Sequence, residues 1–155
     1  MLSARHRNRS FTLIDLVMAM AVIVIVAAIA TPRYANALTR YRAEAAAHRV
    51  AADFQLARQT AKSTSSSRTI TFDAANHSYL IPNVRELDTA GTMYRVQLQD
   101  PPYQAQIVSV DLGGDLEITF DGFGIPDSGG FIILQAGDYQ YTVVVDPETG
   151  AAQVQ

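Results

Sequence analysis

Residues 9–31 read Arg9-Ser10-Phe11-Thr12-Leu13-Ile14-Asp15-Leu16-Val17-Met18-Ala19-Met20-Ala21-Val22-Ile23-Val24-Ile25-Val26-Ala27-Ala28-Ile29-Ala30-Thr31. Leu16–Ala30 is fifteen consecutive residues without a polar side chain, and Asp15 is the only charge in the 21-residue run Phe11–Thr31. A helix of that length rises ~31 Å, about one hydrocarbon core. Val22–Val26 is wholly β-branched, but in lipid a single segment satisfies its backbone only as a helix. Arg5, Arg7 and Arg9 stand before the run and favour a cytoplasmic N-terminus. Two plainer readings stand beside this one. A secretory signal peptide would have a shorter apolar core, and Ala27-Ala28-Ile29-Ala30 imitates its small-residue cleavage site. A simple single-span anchor is the other.

Asp15 separates the plain reading from a functional one. A carboxylate at the centre of a span costs roughly 2.5–3.5 kcal/mol, and less near the interface. Asp15 falls in the first helical turns, where the helix dipole favours an anion. It is therefore either a dipole-satisfied interfacial carboxylate or an anion placed to meet a cationic partner.

The rest of the chain narrows the class. Of 155 residues, 48% are hydrophobic and 17% charged, against about 25% charged in a soluble domain. There is no Cys, which removes thiol catalysis, Cys-ligated zinc and a disulfide scaffold. The net charge of −3 hides two halves: residues 1–62 carry nine Lys/Arg and three Asp/Glu, residues 63–155 three and twelve. The acidic half would be repelled by nucleic-acid phosphates and anionic head groups.

Pro32 removes a backbone donor and predicts a kink or interruption in the helix. Beyond it, Tyr34 to about Lys62 has no Gly or Pro and is rich in Ala, Arg and Glu. Leu38, Tyr41, Ala45, Ala52 and Leu56 form one apolar stripe; Val50, Phe54, Ala57 and Ala61 form a second. Both stripes could be core, or one could be left for partners. Arg40, Arg42, Arg49, Arg58 and Lys62 are spread around this helix and read as a solvated face or inter-subunit ion pairs rather than a nucleic-acid patch. Ser63–Ser67 ends the helix.

The C-terminal half alternates with period two between turn signals. Strands are predicted at Arg68–Asp73, Tyr79–Ile81, Met93–Gln99, Gln106–Asp111, Leu116–Asp121, Phe131–Gln135 and Tyr139–Asp146. The turns include Gly113-Gly114-Asp115, Asp121-Gly122, Ser128-Gly129-Gly130 and Gly137-Asp138. No nucleophile elbow, zinc-protease helix or phosphate loop is present. His6, His48 and His77 lie in separate segments. Asp111, Asp115, Asp121 and Asp127 do not follow calcium-loop spacing and read as turn formers. No catalytic residue, cofactor or metal is expected.

The order of basic leader, Phe11, Thr12-Leu13-Ile14, acidic Asp15 and apolar helix resembles the class III signal of type IV prepilins and type II secretion pseudopilins. Pro32 and Tyr34 also fall where such pilins carry a kinking proline and an aromatic residue. The family usually has Gly before the cleaved bond and Glu five residues after it; here these are Ser10 and Asp15. Ile118-Thr119-Phe120, the glycine-rich loop to Gly130, the strands at Phe131–Leu134 and Tyr141–Val145, and Thr149-Gly150 resemble the C-terminal part of the GspH/FimT family. Phe54-Gln55-Leu56-Ala57-Arg58 is similar to the helix end that precedes its first strand.

The resemblance implies an α+β pilin-like fold: a long N-terminal helix, half transmembrane and half amphipathic, packed on an antiparallel β domain. It divides the chain into a leader at 1–10, a span at 11–31, the helix continuation at 32–62 and a periplasmic domain at 63–155. A prepilin peptidase would cleave between Ser10 and Phe11 and methylate the new Phe11 amine. Asp15 would then neutralise that amine on a neighbouring subunit during assembly. The implied partners are that peptidase, other pilin or pseudopilin subunits, the inner membrane and the secretion or pilus assembly platform. Some relatives bind DNA through basic residues near the C-terminus; here none follows Arg95, and no nucleic acid is expected. A tethered binding module that never polymerises and a tethered enzyme are the competing classes.

Overall fold

The computed structural model describes residues 13–82 and 93–155. One helix, α1 (Leu13–Thr64), is followed by eight strands: β1 (Arg68–Asp73), β2 (Ser78–Pro82), β3 (Met93–Gln97), β4 (Gln106–Asp111), β5 (Glu117–Phe120), β6 (Gly130–Ala136), β7 (Tyr139–Val145) and β8 (Ala152–Val154). The chain forms two units, one up to Ala37 and one from Leu38 onward.

In the first unit, the described residues are helical throughout, and Pro32 does not interrupt α1. Thr31 donates its hydroxyl to the Ala27 carbonyl at 2.8 Å, a back-bond that hides the one polar group at the end of the apolar run.

The second unit packs the rest of α1 with both sheets. Ala43, Ala46, Ala47, Val50, Ala51, Phe54, Ala57 and Ala61 are buried. Their spacing of three and four makes one stripe, and its small side chains surround a single large anchor. Phe54 stacks on Phe72 with centroids 6.0 Å apart and meets Phe120 edge-on at 6.3 Å. The other apolar stripe stays out of the core: Tyr41 is 67% and Leu56 40% exposed, Ala52 is exposed, and Leu38 and Ala45 are half-buried. Only one of the two stripes is core.

The β domain is two four-stranded antiparallel sheets, in the orders β3-β2-β1-β5 and β4-β6-β7-β8. Seven of the eight strands match the predicted ones to within two residues. β8 was not predicted: Ala152–Val154 is too short to show alternation, and pairs with β7 as Val143↔Val154 and Val145↔Ala152. Inward side chains of both sheets join the α1 stripe in one core, among them Ile70, Ile81, Ile118, Ile132, Leu134 and Val143. The Leu98 amide donates to the His77 carbonyl at 3.0 Å and extends the β2–β3 ladder, and the Ile107 amide of β4 donates to His77 Nδ1 at 3.0 Å, a polar link between the sheets. Glycines set two close approaches. A Cβ on Gly130 would lie 2.0 Å from the Asp111 carbonyl oxygen, and one on Gly137, at φ 54°, 2.6 Å from Thr39 Cγ2.

Candidate functional site

The N-terminal part of α1 is an apolar surface with nothing of its own to bury it. An 18-residue window averages 2.9 in hydropathy and is not buried at all within the structure. Leu16, Met18, Ile23, Val24 and Ile29 are all more than half exposed. A soluble protein rarely leaves a contiguous apolar patch of this extent open to water. Asp15 stands in the first turn of α1, where the unpaired amides carry partial positive charge. The predicted processing pair, Ser10 and Phe11, lies outside the described residues. Pro32 is within the helix, fifteen or more residues from Asp15 along α1.

Past Leu38, the exposed stripe and the basic residues share α1. Three arginines turn back onto their own domain. Arg40 Nε donates to the Tyr141 hydroxyl at 3.4 Å, Arg58 Nε to the Gly124 carbonyl at 3.3 Å and Arg49 Nε to Asp53 Oδ2 at 3.1 Å. His48 is exposed on the helix surface, as its position predicts.

Asp53 is the one buried carboxylate of the described residues, and the sequence reading did not single it out. Its Oδ2 accepts from the Tyr79 hydroxyl at 2.5 Å, and its Oδ1 accepts from the Tyr94 hydroxyl at 3.1 Å. Arg49 Nη2 also bonds the Tyr94 hydroxyl, and its guanidinium lies 5.6 Å from the Tyr94 ring centroid. The cluster joins α1 to β2 and β3 and leaves the carboxylate fully served. Burial and the facing carboxylate push the Tyr94 phenol up to about 12, and the same causes push Tyr79 up further. Burial is the largest influence and works against the charge on Arg49, but Asp53 together with Tyr94, Tyr103 and Tyr79 outweighs it and raises the guanidinium above its ordinary value. The signal for this cluster was an acid set into the buried stripe, between Val50 and Phe54, with Arg49 four residues before it.

Three of the four turn aspartates, Asp111, Asp121 and Asp127, act as turn formers. Asp111 Oδ1 accepts from the Gly114 amide at 2.9 Å, Asp121 Oδ1 from Phe123 at 2.9 Å and Ile125 at 2.8 Å, and Asp127 Oδ1 from Thr119 at 3.0 Å. Each shapes its own loop.

The family model of type II transport protein GspH matches residues 46–150, more than half of the chain. This chain belongs to the GspH family. The match begins beyond the apolar run, so it is independent of the N-terminal motif. No match was found among curated proteins. Among solved structures, the type IV minor pilin FimU of Pseudomonas aeruginosa PAO1 has a similar fold. Its P21 crystal form is 17% identical with a TM-score of 0.53, over 75% of this chain and 90% of that one. Its P65 form is 15% identical with a TM-score of 0.51, over 72% and 91%. GspH-family membership and a pilin-type fold together indicate a minor pilin or pseudopilin, a structural rather than catalytic class that assembles with other pilin subunits. The apolar length of α1 agrees with membrane anchoring in this GspH-family chain.

Proposed function

We propose that this chain is a subunit of a type II secretion pseudopilus or type IV pilus, assembled through its N-terminal helix after prepilin peptidase processing. The observation that carries the reading is the division of α1: its distal part buries one stripe in its own domain, while its proximal part is apolar and exposed on all sides. Such a helix needs lipid first and neighbouring helices afterwards. Processing takes place between Ser10 and Phe11 and leaves an N-methylated Phe11. In the precursor the N-terminus is cytoplasmic and the β domain periplasmic, with the span in the inner membrane. The secretion or pilus platform then moves the subunit into a periplasmic filament. Pro32 supplies the bend between membrane and periplasmic parts of the helix.

Asp15 is the assembly residue. In the filament core its carboxylate faces the Phe11 amine of an adjacent subunit, and pairing removes much of the cost of holding both charges in an apolar setting. The protein's role is structural, not catalytic, and no nucleic acid is needed for it. Mass spectrometry of the native protein tests the processing step: a chain beginning with N-methyl-Phe11 is expected, and a cut after Ala30 or an intact Met1 would sink the reading. Asp15→Ala should leave the chain membrane-bound but keep it out of filaments; normal incorporation of that variant removes the pairing role.

A further inference from the structure

The loop between β5 and β6 begins Asp121-Gly122-Phe123-Gly124-Ile125-Pro126, and it is built to hold one shape. The Asp121 amide donates to the Ile125 carbonyl at 2.9 Å, and the Gly124 amide to the Asp121 carbonyl at 2.8 Å. The Asp121 carboxylate takes two more amides of the same loop. Its glycines lie against the end of α1: a Cβ on Gly122 would be 2.9 Å from the Ser65 carbonyl carbon, and one on Gly124, at φ 76°, 2.4 Å from Lys62 Cε. This fixed loop presents Phe123 at 81% exposure, with Ile125 beside it at 52%. A lone exposed aromatic is ordinary; one held out by a hydrogen-bonded loop at a cationic helix end, with Arg58 and Lys62 against it, is a prepared contact.

The complement lies next to it on the same chain. The turn between β7 and β8 borders the loop: a Cβ on Gly150 would lie 2.8 Å from the Phe120 ring and 3.2 Å from Pro126, and one on Gly129 would lie 2.8 Å from Pro147. Beside this turn, Val144, Val145, Pro147 and Ala151, together with Asp146, Gln153 and Gln155, line a surface hollow of about 220 Å³ that is open to solvent. Glu148 follows in the same turn and is exposed. The Thr149 and Glu148 amides donate to Asp146 Oδ1 at 2.7 and 2.9 Å, and these bonds hold its carboxyl below the usual range. Phe123 itself stays in solvent, so it does not fill the hollow of its own chain.

We infer that two copies of this chain associate reciprocally, the Phe123 ring of each entering the hollow beside Asp146 of the other. A two-fold contact requires one self-complementary patch, and here the loop that carries the knob and its cations adjoins the turn that carries the socket and its carboxylates, through Pro126 and Gly150. Arg58 and Lys62 of one copy then face Asp146 and Glu148 of the other. The contact is small and therefore transient in dilute solution. Confinement of both copies to one membrane raises their effective concentration. The inference does not depend on filament entry, because the surface is remote in sequence from the span and from Asp15.

Full-length chains bearing two different tags, one with p-benzoylphenylalanine at position 123, test this in membranes. Illumination should give a product carrying both tags, with the crosslink within residues 144–155. Lys62→Glu in the crosslinking copy should lower its yield several-fold, and Glu148→Lys in the other copy should restore it. Position 123 is exposed, so the substituted ring leaves folding intact. A crosslink to a different protein, one outside residues 144–155, no product, or a yield indifferent to the charge swap would each overturn the inference. The same product from Asp15→Ala chains separates this contact from the proposed filament role.

Discussion

Among the polar residues, Asp53 is the one whose change should cost most. Asp53→Ala leaves Arg49 and two phenols without their acceptor inside the domain. The Arg49 side chain is 39% exposed and regains water, so the penalty comes mainly from the two phenols and is about 2–4 kcal/mol; denaturant unfolding of the full chain in detergent would measure it. Tyr79→Phe removes a single donor and should cost less, about 1–3 kcal/mol. The same cluster sets an alkaline limit. Folding raises the Tyr94 pKa to about 12 from an ordinary 10, and Tyr79 is raised as well. In the folded state both phenols favour the protonated form. Their contribution is complete below pH ~10 and is lost as pH rises toward the folded values. Stability should therefore fall as pH rises from 10 through 12, and tyrosinate absorbance of Tyr79 should appear only with unfolding. Early titration of both phenols in a folded chain would contradict the geometry. Asp53 was legible in the sequence only as an acid within an apolar stripe; its tyrosines come from strands 26 and 41 residues away, and no local pattern pairs them.

At the scale of elements, α1 shows how far periodicity reaches. Spacing identified two apolar stripes, and burial chose between them: Phe54 and the alanines face the sheets, while Tyr41 and Leu56 do not. Both stripes fit a 3.6-residue period equally well, so only the position of the sheets could decide. Phe54→Ala should destabilise the domain by about 3–5 kcal/mol, whereas Leu56→Ala should change little in the isolated chain; equal losses would place both stripes in the core. The strands were legible because alternation and turn residues bracket them. Their division into two sheets was not, since pairing of β1 with β5 and of β4 with β6 is long-range. Gly130 illustrates the same limit. It reads as a turn glycine, but its requirement comes from the Asp111 carbonyl of a strand nineteen residues earlier. Gly130→Ala should therefore disturb the β4–β6 ladder, seen as faster amide exchange at Val110 and Ile132.

For the whole molecule, the chain joins an ordinary folded domain to a helix that belongs in another solvent. The window of hydropathy 2.9 has no burial within the chain. The full chain should remain with membranes after carbonate extraction and be released by detergent; release by carbonate alone would argue against a span. A Val24→Arg change adds roughly 2.5–3.5 kcal/mol to insertion and should shift part of the chain out of the membrane fraction, leaving the amide-exchange pattern of the β domain unchanged.

The sequence by itself determined the apolar helix and its single carboxylate, the basic residues before it, the alternating strands and the turn aspartates. Each is written in neighbours along the chain: fifteen apolar residues in a row, period two, or an acid two to eight residues from the amides it binds. Tertiary structure alone decided which stripe of α1 is covered, that the strands form two sheets, that Asp53 is served by Tyr79 and Tyr94, and that the loop carrying Phe123 borders the Asp146 turn. These rest on contacts between residues far apart in the chain, where the energy of burial and hydrogen bonding depends on what the fold brings near and not on what the sequence places next.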